Sequence, residues 1–414
     1  MKILNFGSCN LDYVYTLDHI VAPGETESTD SFDLFPGGKG LNQSIAAAKA
    51  GAKVYHAGCL GRDGEPLREI MTQGGVDLSY LRNVDLPNGH AVIQVSRKGE
   101  NSIFLFAGSN NAVTEAQVDA VLENFSEGDF LLLQNEINLV PYLVKKGHEK
   151  GMQIVLNPSP FNEKIAEIDF SCLSYLILNE VEAREISEGS DPDECLGILG
   201  KRYPSLKVVL TLGTRGCRYR DGNESLYHPA FRVSAVDTTA AGDTFTGYFL
   251  AALADGLSPS EGLRRASAAS ALAVSRMGAA PSIPYKEEVL AALPDLKPLR
   301  EHTDPMEEKR KLILDYLESN LKDASLEGLA DRLGYSPAYT GNYVKTCCSL
   351  PFSKLLQKVR CSVAAKLLAE TSESVEEIIY RVGYQNESFF RKVFRERYGV
   401  TPLAYRKKMR GDLS

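Results

Sequence analysis

VDTTAAGDTFTG, residues 236–247, sets two alanines and a glycine ahead of Asp243 and then runs into TFTGYFLAALADG, whose small and apolar residues make a helix. Backbone N–H groups of Ala241, Gly242 and Asp243 converge at such a helix start, where unpaired donors and the helix dipole both favour an anion. A carboxylate among them is a poor phosphate ligand but a good base. It can take a proton from a hydroxyl that attacks a phosphoryl group, while the N–H groups hold the charge developing there. Glycine and aspartate alone fit a tight turn with an N-cap equally well, so the rest of the chain decides.

Upstream, short aliphatic runs such as KILNFGS, DFLLLQ, QIVLNPS, YLILNE and KVVLTLG alternate with helical patterns such as LNQSIAAAKAGA and AQVDAVLENF. That alternation predicts a mainly parallel sheet covered by helices. AVIQVS and SIFLFAG, joined by residues 97–101, read instead as a hairpin that forms a lid beside the sheet. A second glycine cluster, FPGGKGLNQSIAAAKAG (35–51), opens another helix. It lacks the G-x-x-x-x-G-K-[ST] spacing of a P-loop. Gly37, Gly38 and Gly40 let backbone approach a ligand closely, with Lys39 and Asn42 as donors, although a flexible turn fits this cluster too. Prolines 294, 298 and 305 punctuate the end of this region. The expected division is a first domain over 1–297, a linker over 298–305 and a second domain over 306–412.

At 414 residues the chain is long enough for two or three domains, and its 43% hydrophobic and 24% charged content is that of a soluble globular protein. Eight scattered cysteines without a C-x-x-C pair and six dispersed histidines predict reduced thiols and no His/Cys metal site. No signal peptide or membrane span is legible, so the expected location is the cytoplasm. The net charge of -8 divides unevenly: +5 from residue 305 onward and -13 before it. A basic module on an acidic body points to a polyanionic partner.

That basic part reads as helices only. SLEGLADRLGY (325–335) and SVEEIIYRVGY (374–384) repeat one pattern at an offset of 49, with Leu326, Leu329, Ala330, Leu333 matching Val375, Ile378, Ile379, Val382 on one buried face. Gly334 and Gly383 end these helices, and Ser374 with Glu377 forms a capping box. Each copy continues into a second helix, the helix-turn-helix layout. In NESFFRKVFRERYG the expected core residues are Phe389, Val393 and Phe394, with Arg391, Lys392 and Arg395 left to meet DNA. VGYQNESFFRKVFRERYGVTPLAYR resembles the signature of AraC-type transcription regulators. By that resemblance the helices at 337–345 and 386–396 enter successive major grooves of double-stranded DNA. The first of them contains Gly341 and no arginine before Lys345; Thr340 and Asn342 are its candidate base readers.

In the first domain GSCNLD, GGKGLNQ, GCLGRDG, GENSIFLFAGSN, LLQNEI, LNPSP, NEVE, TLGTRG, DTTAAGDTFTG and AVSRMGAAPSIP follow in order. Together they resemble the ribokinase (PfkB) family. The resemblance implies a three-layer α/β/α fold with a β lid and an ATP-dependent sugar kinase acting on ribose or a related pentose at its primary hydroxyl. Its base is Asp243 and its anion hole Ala240, Ala241 and Gly242. Asn10, Asp12, Gly38, Lys39, Asn42 and Glu136 would hold the sugar. Asn179 would approach the nucleotide phosphates, and Thr211, Leu212, Gly213, Thr214, Arg215 and Gly216 would line the nucleotide site with Gly242. Glu182 would hold Mg²⁺ through water. Asp237, Thr239, Ala273, Arg276, Gly278 and Ser282 would hold K⁺. Analogy also implies a homodimer. Two other readings stay open: a non-catalytic kinase fold used as a sugar or nucleotide sensor by a transcription regulator, and a nucleoside kinase.

Overall fold

The computed structural model describes residues 1–97, 100–222, 224–299, 305–348 and 350–410. Lys98 and Gly99 of the expected hairpin turn, and residues 300–304 of the expected linker, lie outside the described residues. The chain divides into two compact units, Met1–Arg300 and Glu301–Ser414.

In the first unit the strands are β1 (Ile3–Phe6), β2 (Asn10–Leu17), β3 (Ser31–Gly37), β4 (Val54–Leu60), β5 (Asp77–Asn83), β6 (Gly89–Ser96), β7 (Asn101–Phe106), β8 (Phe130–Gln134), β9 (Gln153–Asn157), β10 (Tyr175–Asn179), β11 (Lys207–Thr211), β12 (Cys217–Arg220) and β13 (Ser225–His228). Nine of them form one sheet, ordered β13-β12-β11-β10-β9-β8-β1-β4-β5, and four form a second, ordered β3-β2-β6-β7. The large sheet is parallel from β11 to β5, with β12 and β13 antiparallel at one edge. Its central strands are near-continuous aliphatic runs because both faces are covered. Leu132, Val155, Ile177 and Val209 enter one core, and their neighbours Leu133, Leu156, Leu178 and Leu210 enter the other. That alternation is the pleat of a strand sandwiched between two helical layers. β6 and β7 pair antiparallel, as the hairpin reading requires, and with β2 and β3 they make the lid.

The second unit is helical among its described residues. The Phe352–Glu370 helix gives Leu355, Leu356 and Val359 to one small core and Cys361, Ala364 and Leu368 to another. Each core closes one helix-turn-helix: Leu326–Leu333 with Pro337–Cys348, and Val375–Arg381 with Glu387–Tyr398. Gly334 and Gly383 have positive φ of 71° and 90°, which glycine adopts without strain. The Ser374–Glu377 capping box is present.

One expectation is corrected here. Phe390 and Phe394 are fully buried, whereas Phe389 is 46% exposed. The cause is the cap. Asn386 accepts from the Phe389 N–H at 2.9 Å and fixes the helix start, so positions 390 and 394, four apart, share the inward face. In the first copy Thr340 and Val344 hold that face, at an offset of 50 and not 49. The second turn is therefore one residue longer than the first.

Candidate active site

The polar residues of the first unit collect where the parallel strands end. Gln134, Asn157, Asn179 and Thr211 are the last residues of β8, β9, β10 and β11, the end at which open α/β sheets bind ligands. The glycine cluster closes this end by close approach. A Cβ on Gly40 would lie 2.3 Å from the Ser8 nitrogen, and one on Gly37 would lie 2.1 Å from Asp12 Oδ2. Gly38, with φ 94°, caps the Lys39–Lys49 helix.

That helix delivers the side chains around Asp243. Asp243 sits in the first turn of the Ala241–Ala254 helix and is 8% exposed. Its Oδ2 accepts from Asn42 Nδ2 at 3.1 Å and its Oδ1 from Gln43 Nε2 at 2.8 Å. Gly247, one turn on, lets the two helices touch, because a Cβ there would fall 2.5 Å from the Ala46 methyl. Ala240 takes a left-handed φ of 57° at the helix start, a conformation that costs a non-glycine residue on the order of 1 kcal/mol. The first bond of the helix runs from the Thr244 N–H to the Ala240 carbonyl at 2.8 Å, and the Ala241 N–H leans on Thr238 at 3.3 Å. Gly242 and Asp243 precede the first intrahelical donors, so their N–H groups are free of the helix ladder.

The other expected sugar-binding residues gather within electrostatic reach of Asp243. Glu136 accepts from the Ser8 hydroxyl in a short bond and from the Lys39 N–H at 3.0 Å. Asn10 is buried and accepts from Asn110 Nδ2 at 2.7 Å. Burial first, then the carboxylates of Glu136 and Asp243, raise Asp12 to about 7. Burial also raises Glu136, against the opposing pull of Lys39. Burial pulls Lys39 down, but Asp243, Glu136 and Glu182 outweigh it and hold its ammonium above the usual range. Asn42 Oδ1 is buried with no hydrogen-bond partner.

A cavity of about 220 Å³ opens beside Asp243 and is lined among others by Lys39, Asn179, Glu182, Thr211, Ala240 and Gly242. Asn179 Oδ1 caps the Glu180–Ser187 helix, and Glu182 closes the box by accepting the Asn179 N–H at 3.0 Å. The other Glu182 oxygen accepts from the Ser159 hydroxyl. Arg215 of the TLGTRG loop pairs with Glu180, tying that loop to the same helix. The Leu212 side chain is buried in the core, so only its backbone is left to face a nucleotide.

Before the turn bearing Ala240, Asp237 accepts from the Thr239 N–H (2.9 Å), the Thr239 hydroxyl (2.6 Å) and the Gly278 N–H (2.9 Å). Burial acts to raise Asp237, but these bonds outweigh it and hold the carboxyl low. The loops holding Asp237, Thr239 and Gly278 are thereby drawn together. Ala273 accepts from the Arg276 N–H at 3.0 Å, Arg276 pairs with Glu288 at 2.7 Å, and the buried Ser282 hydroxyl donates to Ala279 at 2.8 Å.

On the helical unit, Asn342 and Lys345 are exposed, as are Lys392 and Arg395. Arg391 is engaged by Glu376 at 2.8 Å and Glu387 at 3.4 Å. Thr340 is corrected: it is fully buried and its hydroxyl donates to the Ser336 carbonyl at 3.0 Å, so it cannot reach a base edge. Sequence reasoning missed Gln43, Asn110 and Ser159. Each lies in a quoted motif, Gln43 in GGKGLNQ, Asn110 in GENSIFLFAGSN and Ser159 in LNPSP.

The profile described as pfkB family carbohydrate kinase matches residues 1–286, and that of a helix-turn-helix domain matches 329–408. Ribokinase of Haemophilus influenzae is 35% identical over 299 residues, covering 69% of this chain and 96% of its own. The crystal structure of ribokinase from Thermotoga maritima is similar at a TM-score of 0.64 and 34% identity, covering 71% of this chain and 99% of its own. Arabidopsis thaliana ribokinase complexed with ribose and ATP gives 0.63 and 29%, covering 70% and 98%. Among the described residues, no helix is long and apolar enough to cross a membrane.

Proposed function

The chain belongs to the pfkB family of carbohydrate kinases and carries a DNA-binding helix-turn-helix module, and from that premise we propose that it transfers phosphate from ATP to the primary hydroxyl of ribose or a closely related pentose. The observation that carries this reading is the cluster of half-buried Asp12, Glu136 and Lys39 with buried Asn42 beside Asp243, the Asn42 carbonyl oxygen lacking a partner. Carboxylates and amides accept from and donate to adjacent hydroxyls, as a polyol requires. Asp243 takes the proton of the attacking hydroxyl. The Gly242 and Asp243 N–H groups face the charge that develops on the transferred group.

A buried carboxylate on the cavity wall suits hydrated Mg²⁺, and Glu182 is that carboxylate. Mg²⁺ supplies neutralisation of phosphate charge when bound. The oxygen-rich loops around Asp237 suit K⁺, which would stiffen the turn bearing Ala240. Two copies pair through the lid, a reading supported by its exposed Phe32, Leu34, Ile103, Phe104 and Phe106. A cytoplasmic setting suits a protein that needs ATP and DNA together.

ADP release with MgATP across ribose, deoxyribose, other pentoses, hexoses and nucleosides tests the substrate. Ribose is expected to give the highest kcat/KM, and K⁺ to raise the rate over a large organic cation. A nucleoside preference would overturn the pentose reading, and equal rates in both cations would overturn the K⁺ site.

A further inference from the structure

Behind Asp243 runs a buried line of side chains whose hydrogen bonds have one consistent direction. Gln43 Nε2 donates to Asp243 Oδ1 at 2.8 Å. Gln134 Nε2 donates to Gln43 Oε1 at 2.7 Å and to Asn5 Oδ1 at 3.1 Å. Asn5 Nδ2 donates to the Gly40 carbonyl at 2.7 Å and to Ser44 Oγ at 2.8 Å. Ser44 Oγ lies 2.8 Å from His56 Nδ1. Gln43, Gln134, Asn5, Ser44 and His56 are each 0% exposed.

An ionised carboxylate only accepts hydrogen bonds. Gln43 must therefore turn its amide nitrogen to Asp243 and its oxygen to Gln134, and the same choice propagates to Asn5. Asn5 spends both hydrogens on Gly40 and Ser44, and the Ser44 hydroxyl closes the line against His56 Nδ1. Burial pushes His56 down to about 4, which keeps the ring neutral and able to accept at Nδ1. A carboxylic acid at Asp243 would place an O–H on an oxygen that already faces an amide N–H, Oδ1 from Gln43 or Oδ2 from Asn42, and clash with this order. The line also leaves Gln134 Oε1 buried without a partner, a cost that a network serving stability alone would avoid.

We propose that Gln43, oriented by Gln134 and Asn5, is a positioning residue that holds the Asp243 carboxylate ionised and fixed in rotation, so that it meets the sugar hydroxyl ready to accept a proton. The inference rests on the reading of Asp243 as the base. The charged groups facing Asp243 are Lys39 from the Lys39–Lys49 helix, Asp12 from β2 and Glu136 after β8. Of these only Lys39 also favours the ionised form, and it serves Glu136 as well.

The test is the pH profile of kcat in Gln43→Met, Gln43→Glu and Gln134→Met, each set against Asp243→Asn. Losing a donor to the charged form raises the pKa of the base. Gln43→Met should lower kcat about 10- to 100-fold on the acid limb of the profile, with the sugar KM nearly unchanged and the rate recovering as pH rises. Gln43→Glu, of the same shape, should shift the acid limb further, and Gln134→Met less. If Gln43→Met does not fold, the direction and order of the other two shifts decide. In an Asp243→Asn background Gln43→Met should lower the residual rate no further. A parental acid limb in all three variants, or an equal loss at every pH, would overturn the role. Near-parental turnover in Asp243→Asn would instead sink the base assignment itself.

Discussion

Asp243 is held from two sides by neighbouring residues of one motif, Asn42 and Gln43, and the sequence carried only half of that. Glycine before aspartate at a helix start offers an anion site and a base by local backbone physics, but it fits a capped turn equally well, so the motifs around it were needed. Which amide holds the carboxylate depends on a contact 200 residues away in sequence, and nothing local encodes it. Asp12 illustrates the same limit: its type was legible, its environment was not. Burial, Glu136 and Asp243 raise it to about 7. From its ordinary range up to about 7 the folded chain holds a proton at Asp12 that the unfolded chain releases, so this group's contribution to stability falls as pH rises through that window. Asp12→Asn should therefore raise the melting temperature at about pH 8 and leave it nearly unchanged at about pH 4. Thermal melts of both proteins at the two pH values check this. An equal shift at both would show that Asp12 titrates normally.

Elements were more legible than the phase of their faces. The two helix-turn-helix copies were readable from apolar spacing, glycine stops and the capping box of the second. In the second helix of the second copy Phe394 and Val393 pack against the core as expected, but Phe390 and not Phe389 joins them, because Asn386 caps the helix after a turn one residue longer than in the first copy. The corrected phase has a measurable consequence. Phe390→Ala should destabilise the helical unit by about 3–5 kcal/mol, whereas Phe389→Ala, on the exposed side, should cost far less. Denaturant unfolding of the full chain distinguishes them, and comparable losses would restore the sequence-based phase. DNA contact follows the same geometry. Arg395→Ala should weaken binding and reduce the salt slope by roughly 0.9 if the side chain neutralises one phosphate. Arg391, already paired with Glu376 and Glu387, should contribute less. An unchanged slope in Arg395→Ala would mean that another face meets the duplex.

For the whole molecule, the alternation of aliphatic runs with helices predicted a parallel sheet, and the pleat that sends neighbouring residues into two cores is its direct result. The charge split anticipated a basic reader on an acidic enzyme. Substrate choice was not legible, since it depends on how the lid and strand ends meet around one small ligand. Above all these sits the proposal that the kinase unit is catalytic, with Asp243 as base. Steady-state turnover of ribose with MgATP and K⁺, in the parent and in Asp243→Asn, with ribose affinity measured calorimetrically in both, tests it most directly. Turnover is expected in the parent, a loss of about 10² to 10⁴-fold in the variant, and ribose binding retained in both. A parent that binds ribose but releases no ADP, or a variant as fast as the parent, would contradict it.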